Sequence, residues 1–157
     1  MISLYLRNLF FTILQPGLVA GLVPYLLLRV DEKEKILRSF QLLQYTGLIL
    51  FVFGFLVMMS CILNFAIYGK GTLSPADPTK KLVIAGLYKY SRNPMYVGVI
   101  LMLVGEAVFF HSERLWIYSI LIFLVFHLFI VFFEEPRLKK DFGAEYVQFC
   151  KKVRRWV

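Results

Sequence analysis

Four long apolar runs constrain the fold of this chain more than any other feature of its sequence. They cover residues 2–28, 42–68, 95–110 and 115–133. A helix needs about 20 consecutive apolar residues to cross a membrane, and only the third run is clearly shorter than that. Hydrophobic residues make up 59% of the chain, whereas a soluble domain has about 45–50%. The runs therefore indicate an integral membrane protein and disfavour the alternative, an unusually apolar soluble helical domain.

The backbone of these runs is predicted to be helical. Inside a bilayer every backbone polar group must be paired within the protein, so a span is either a helix or part of a closed barrel. The alternating pattern of barrel strands is missing, so helices are favoured. The short connection "HSER" at 111–114 predicts that the third and fourth spans form a tight antiparallel hairpin. Pro16 and Pro24 predict a kink in the first span, with the freed carbonyls bonded by neighbouring helices.

The predicted fold is an all-α integral membrane domain of about four transmembrane helices that occupies residues 1–157. Residues 1–68 form two N-terminal spans, and residues 69–157 form a loop, the hairpin and a C-terminal helix. The first run lacks a signal-peptide cleavage pattern and is interpreted as a retained span. The C-terminal helix is predicted to be amphipathic, with Gly143 marking a bend. Its apolar face consists of Leu138, Phe142, Tyr146, Phe149, Val153 and Trp156.

The distribution of positive charge predicts the orientation of the chain. Thirteen of the 18 Lys and Arg residues lie in the N-terminus, the 69–94 loop and the C-terminal tail. The positive-inside rule places these three regions in the cytoplasm. The net charge of +8 is concentrated beside apolar runs, so the bilayer surface is the expected partner and nucleic acid is not. Cys61 and Cys150 form neither a disulfide framework nor a metal-binding pattern.

Polar residues cluster where the third and fourth spans reach the predicted cytoplasmic side. The stretch "GLYKYSRNPMYVG" at 86–98 places Arg92 and Asn93 before Pro94, which suits the first position of a helix. Asn93, as the residue before a proline, is expected to be non-helical. The free N–H groups at this helix start can receive an anion. Glu134 and Glu135 close the fourth span and are expected to face this positively charged helix start.

Two further ionisable residues lie within the predicted spans, where such groups face the protein interior. His127 lies seven residues before Glu134, a spacing that predicts one shared helical face. A hydrogen bond within the bundle and a contact with substrate both remain open for His127. Glu106 in the third span is expected to pair with a hydroxyl or an amide.

The stretch at 86–98, followed by "EEPRLKKDFGAEYVQFCKKVRRW", resembles the isoprenylcysteine carboxyl methyltransferase and phospholipid methyltransferase family. The resemblance covers roughly residues 70–157. It implies a membrane methyltransferase that uses S-adenosylmethionine and acts on a lipophilic or membrane-embedded acceptor. By this resemblance Glu134 would hold the cofactor's amino group or ribose, and Arg92 would brace the motif or bind the cofactor's carboxylate. The residues predicted to be catalytic are Arg92, Glu134 and His127, because an amine acceptor must lose a proton that His127 or Glu134 could take. The cofactor-binding residues that the resemblance implies are Lys80, Lys81, Leu82, Val83, Tyr88, Asn93, Pro94, Met95, Tyr96, Glu134 and Glu135.

The chain departs from the family pattern at two positions. Asn93 stands where the family often has histidine, and an amide retains hydrogen bonding but does not titrate. Ile130 stands where the prenylcysteine branch has an arginine before the first glutamate, which disfavours a prenylcysteine carboxylate as acceptor. A thiol, a carboxylate and an amine remain open as the nucleophile.

Two other functional classes are alternatives to a membrane methyltransferase. The alternative function is a non-catalytic membrane binding or assembly protein that retains the methyltransferase fold. A small transporter fits poorly, because four spans with one histidine and one glutamate offer little pathway. The oligomeric state is open. Gly98 and Gly105 share a face that predicts close helix contact within or between chains.

Overall fold

A computed structural model describes residues 16–28, 42–64, 67 and 82–156. Every regular element in these ranges is helical, which confirms the all-α class. The helices are α1 (Leu18–Leu27), α2 (Leu42–Asn64), α3 (Pro94–Phe110), α4 (Glu113–Phe129) and α5 (Glu135–Lys152). A 3-10 turn, Gly86–Lys89, precedes α3, and a π-helical segment, Ile130–Glu134, joins α4 to α5. Residues 2–15 of the first predicted span, and residues 69–81 of the predicted 69–94 loop, lie outside the described residues.

Within the described residues, two helices are long and apolar enough to cross a membrane. One is α2, and the other is the continuous helix Glu113–Lys152 that contains α4 and α5. Only 22% and 17% of their most apolar windows are buried inside the protein. The core helix of a soluble protein would be mostly buried, so these outward apolar surfaces suit contact with lipid. Helices α1 and α3 are apolar but shorter, and the count of four spans stays a prediction.

Helices α2 and α3 pack backbone against backbone through glycines. A Cβ atom added to Gly54 would lie 2.5 Å from the Gly98 carbonyl oxygen, and one added to Gly105 would lie 2.7 Å from the Gly47 carbonyl oxygen. Real Cβ atoms do not approach other atoms so closely, so these positions have no room for a side chain. The small-residue face predicted at Gly98 and Gly105 therefore makes its close contact within the chain. This packing places the start of α3 next to the end of α2.

The kink predicted in the first span lies at Ala20 within α1. Ala20 has φ −109° and ψ 19°, outside the helical region. It is four residues before Pro24, whose ring clashes with the carbonyl at that position and whose nitrogen donates no hydrogen bond. The Tyr118 hydroxyl of α4 donates a 2.9 Å hydrogen bond to the Val19 carbonyl. A neighbouring helix thus bonds a carbonyl at the kink, as expected.

The connection between α3 and α4 contains two residues, His111 and Ser112. His111 has φ 50° and ψ 38°, a left-handed conformation, and its N–H bonds back to the carbonyls of Ala107 and Val108. Such an αL residue ends a helix abruptly. The connection is thus shorter than the "HSER" segment, and whether α3 and α4 form a membrane-spanning hairpin stays a prediction.

Helix α5 bends at Gly143, which has φ 52°, so the predicted bend is seen. Beyond it, Tyr146, Phe149 and Val153 are buried together, and Leu82 packs against them from the loop before α3. The predicted apolar face therefore folds back onto the bundle. The predicted amphipathic helix is too long at its C-terminal end, however, because α5 ends at Lys152 and the backbone of Val153 is in the β region. The tail forms a parallel bridge to Ser91 instead, and a helix could not make this pairing.

Candidate functional site

The start of α3 and the end of the π-helical segment are joined by Tyr96 and Glu134. The Tyr96 hydroxyl donates a 2.9 Å hydrogen bond to Oε2 of Glu134. The Tyr96 ring also packs against Phe126 of α4, with 4.8 Å between the ring centroids. Arg137, one turn beyond Glu134, lies close enough to interact electrostatically with both residues. Two stretches far apart in the sequence therefore form one polar contact, as their facing positions predicted.

A second polar contact lies beside the first and involves Arg92 and Glu135. Nη1 of Arg92 lies 3.1 Å from Oε1 of Glu135 and 2.9 Å from the sulfur of Cys150. Arg155 approaches the same carboxylate with Nε at 2.7 Å from Oε1 and Nη2 at 3.0 Å from Oε2. These hydrogen bonds raise the pKa of Arg155, so its guanidinium stays charged. Glu135 is thus shared between two arginines, and the cationic partner expected for the acidic pair is present within the chain.

A cavity of about 490 Å³ opens at this second contact. Pockets for small ligands are typically about 300–1,000 Å³, so the volume suits a cofactor. Its lining combines cationic and anionic side chains with apolar ones. Its lining residues are Arg92, Val131, Glu135, Pro136, Lys139, Tyr146, Val147, Cys150 and Arg155. Nε of Arg92 is buried and has no hydrogen-bond partner among the described residues, which leaves a donor for a bound anion.

Asn93 is buried, and its side chain bonds to the C-terminal tail. Its Nδ2 donates a 2.9 Å hydrogen bond to the Arg155 carbonyl, and its backbone N–H donates to the Ser91 hydroxyl at 3.1 Å. Its φ of −130° and ψ of 49° lie outside the helical region, as expected before a proline. Both observed bonds fix the backbone at the start of α3, and neither requires a group that titrates.

The other predicted cofactor-binding residues that the structure describes lie near these contacts and are not among the residues that line the cavity. Tyr88 and Val83 are buried in one cluster with Cys61 of α2, and Met95 packs against it. Burial raises the pKa of Tyr88 well above its ordinary value, so this phenol stays neutral. Leu82 contacts the cluster around Tyr146, and Pro94 is buried in the first turn of α3. Lys80 and Lys81 lie outside the described residues.

His127 has partners that differ from those of Glu134. Its Nδ1 accepts a 3.3 Å hydrogen bond from the indole Nε1 of Trp156, and the two rings stack with an interplanar angle of 20°. The shared helical face expected for His127 and Glu134 stays a prediction, because their different partners do not test it. The intervening π-helical segment, Ile130–Glu134, has wider turns than an α-helix, so the two residues are not separated by two α-helical turns.

Glu106 does not make the expected structural pair. Its buried Oε2 has no hydrogen-bond partner among the described residues. The nearby Tyr118 hydroxyl donates to Val19 instead. Glu106 lies on the fourth turn of α3, well away from Arg92 and Glu134, and takes no part in the candidate site.

The contribution of the tail was missed from the sequence. The amphipathic helix predicted for the tail places Trp156 on its apolar face and assigns Arg155 no part in the site. Both instead reach the candidate site, through Glu135 and His127. The one available signal was the change from helix-forming residues to "VRRW" after Lys152, since β-branched Val153 favours extended backbone.

Comparison with known proteins gives one family and one relative. The sequence model of the family described as phospholipid methyltransferase matches residues 42–145. The match includes Arg92, Tyr96, Glu134 and Glu135, and it ends before Arg155. An uncharacterized protein of Haemophilus influenzae is 33% identical over 63 residues, which is 40% of this chain and 100% of that protein. No solved structure matches the chain.

Proposed function

The chain belongs to the phospholipid methyltransferase family, and from this premise we propose that it transfers a methyl group from S-adenosylmethionine to a lipophilic acceptor in the membrane. The observation that carries this proposal is the meeting of two distant sequence stretches. Tyr96 bonds to Glu134, and Arg92 pairs with Glu135 beside the cavity. Family membership supports a methyltransferase acting on a lipid-related substrate. The choice of cofactor and the assignment of residues belong to the proposal.

The side chains around the cavity fit the chemical groups of S-adenosylmethionine. When bound, this cofactor supplies an electrophilic methyl group on a sulfonium ion. Glu134 offers a carboxylate for the cofactor's ammonium or ribose, with the Tyr96 hydroxyl holding one of its oxygens. Arg92 offers Nε, which is buried and has no hydrogen-bond partner among the described residues, to the cofactor's carboxylate, since charge-assisted hydrogen bonds are the strong ones. Tyr88, Asn93, Pro94 and Met95 lie outside the lining of the cavity, and they are proposed to contact the part of the cofactor that extends toward the start of α3.

The chain's own residues orient the reactants and exclude water. Holding two reactants in line accounts for about 7–11 kcal/mol of barrier lowering in favourable cases, so no metal ion is needed for the proposed reaction. A carboxylate or thiolate acceptor also needs no general base. An amine acceptor must lose a proton, and of the two predicted bases, Glu134 and His127, Glu134 would receive it. Nδ1 of His127 accepts the hydrogen bond from Trp156, so a neutral His127 carries its hydrogen on Nε2 and has no free lone pair for the proton.

The location of the site in the membrane is also proposed. All four apolar segments cross the bilayer, with both termini and the cofactor site in the cytoplasm. The cofactor then enters from water, and the acceptor enters between helices from the lipid. Val131 and Val147 line the cavity and offer an apolar wall to such an acceptor.

Titration of the purified, detergent-solubilised protein with S-adenosylmethionine tests the proposal. We expect saturable binding to the wild type, and its loss in Glu134→Gln and in Arg92→Ala without unfolding. Glu145→Gln is the matched control for the first variant, because Glu145 is exposed on α5. Unchanged affinity in both site variants would show that the residue assignment is wrong. Absence of binding to the wild type would favour the non-catalytic alternative.

A further inference from the structure

The last residues that the structure describes, 153–156, lie against the start of α3, and we call them the C-terminal clasp. The Arg92 N–H donates a 2.9 Å hydrogen bond to the Arg154 carbonyl, and Ser91 and Arg154 form a parallel bridge. The Arg155 carbonyl accepts from the Asn93 side chain at 2.9 Å. The backbone of the clasp thus holds three consecutive residues, Ser91 to Asn93, that precede the helix.

The side chain of Arg155 extends this contact to the acidic pair. It binds both oxygens of Glu135, at 2.7 and 3.0 Å. A guanidinium matches a carboxylate in this two-bond geometry, which a lysine cannot reproduce. Arg92 shares only Oε1, at 3.1 Å. Arg155 therefore fixes the orientation of the carboxylate, and the carboxylate in turn fixes one end of Arg92.

The sharing of the Glu135 carboxylate between Arg92 and Arg155 affects the orientation of the Arg92 side chain. Its side chain is 13% exposed and lines the cavity, and its Nε has no partner among the described residues. If Arg155 were removed, both oxygens of Glu135 would be free to take Arg92 in a two-bond pair. Arg92 would then turn its remaining donors away from the cavity.

Arg155 also lines the cavity, but two of its three side-chain nitrogens bind Glu135, and we propose that it is a positioning residue for cofactor binding, acting through Glu135 on Arg92. The inference rests on the proposed function, because it assumes that Arg92 binds the cofactor. Trp156 is part of the same C-terminal clasp, and its indole N–H donates a hydrogen bond to Nδ1 of His127. The clasp thereby couples the start of α3 to α4 and α5, and it does so with residues beyond the range that the family model matches.

The neighbouring arginine provides a matched control. Arg154 is exposed, and only its backbone takes part in the bonds that hold the clasp to Ser91 and Arg92. Arg154→Ala and Arg155→Ala remove the same charge and the same number of atoms, one position apart. A general effect of charge on membrane binding or folding therefore appears in both variants, and a positioning effect appears in Arg155→Ala alone.

The test measures S-adenosylmethionine affinity and steady-state methyl transfer in full-length wild type, Arg154→Ala, Arg155→Ala and Arg155→Lys. Hydrogen bonds to charged groups are strong enough that we expect Arg155→Ala to weaken cofactor affinity by about tenfold or more. The KM for the cofactor rises with it, while kcat changes less. Arg155→Lys, which keeps the charge and loses the two-bond geometry, lies between wild type and Arg155→Ala. Arg154→Ala binds as the wild type does.

Trp156 supplies an independent readout, because the chain has only two tryptophans. In a Trp116→Phe background, Trp156 is the only fluorescent indole, and we expect its emission to shift to longer wavelength in Arg155→Ala as the clasp loosens. Equal cofactor affinity in Arg155→Ala and Arg154→Ala, with a wild type that binds, would overturn the positioning proposal and leave the proposed function standing. A wild type that binds no cofactor would overturn both.

Discussion

The hydroxyl of Tyr96 and the carboxylate of Glu134 are joined by a 2.9 Å hydrogen bond across 38 positions of sequence. The bond connects the first turn of α3 to the last residue of the π-helical segment. Local π-helical turns occur frequently at functional sites, and this one is followed directly by Glu135, which bonds to Arg92 and Arg155. The two adjacent glutamates therefore have different partners. Glu134 bonds to Tyr96, and Glu135 bonds to Arg92 and Arg155.

Removal of the Tyr96 hydroxyl should weaken cofactor binding and leave the fold intact. Tyr96→Phe keeps the ring that packs on Phe126 and loses one hydrogen bond to a carboxylate, worth about 1.5–3 kcal/mol. We expect the dissociation constant for S-adenosylmethionine to rise by roughly tenfold or more. Tyr90→Phe is the control, because Tyr90 is 75% exposed. Equal affinities in the two variants would remove Tyr96 from the site.

Replacement of Arg92 by lysine should also impair binding, although the charge is retained. Arg92 contacts Glu135 and Cys150 through one nitrogen and keeps a second, unpartnered nitrogen. A lysine has a single ammonium and cannot supply both donors in this fork geometry. We expect Arg92→Lys to lose most of the affinity, as measured by calorimetric titration. Lys89→Ala, at an exposed neighbouring position, should retain it, and a wild-type affinity in Arg92→Lys would show that charge alone is required.

The glycine contact between α2 and α3 should control stability. A Cβ atom at Gly54 would lie 2.5 Å from the Gly98 carbonyl oxygen, so Gly54→Ala must push the two helices apart. Overpacking of this kind costs about 1–3 kcal/mol, and we expect a lower Tm in detergent. Gly17→Ala is the control, because a Cβ atom there meets nothing within 4 Å. A Tm equal to that of the control would contradict the observed packing.

The helices and the central contacts of the site followed from local patterns in the sequence. Apolar run length located α2, α3 and α4, and Pro94 marked the first residue of α3. The proximity of Arg92 to the acidic pair followed from the short connection between α3 and α4. These features depend on the length of the apolar segments and on the residue types at the start of a helix. Both can be read directly from the sequence.

Two features of the site depend on tertiary contacts and were not predicted. Arg155 reaches Glu135 only because the chain leaves the helix after Lys152 and pairs with Ser91. Arg155 follows other basic residues in the sequence, a pattern that is typical of a segment that binds the membrane surface. The π-helical segment Ile130–Glu134 likewise contains no proline or glycine that would reveal it in the sequence.

Transfer of a radiolabelled methyl group from S-adenosylmethionine to extracted membrane lipids is the most direct measurement of the proposed activity. The wild-type protein and Glu134→Gln are compared at equal concentration, and the labelled product is then identified to give the acceptor. The proposed function predicts label in the lipid fraction with the wild type and a large loss of label with Glu134→Gln. Incorporation by the wild type no greater than that by the variant would contradict it.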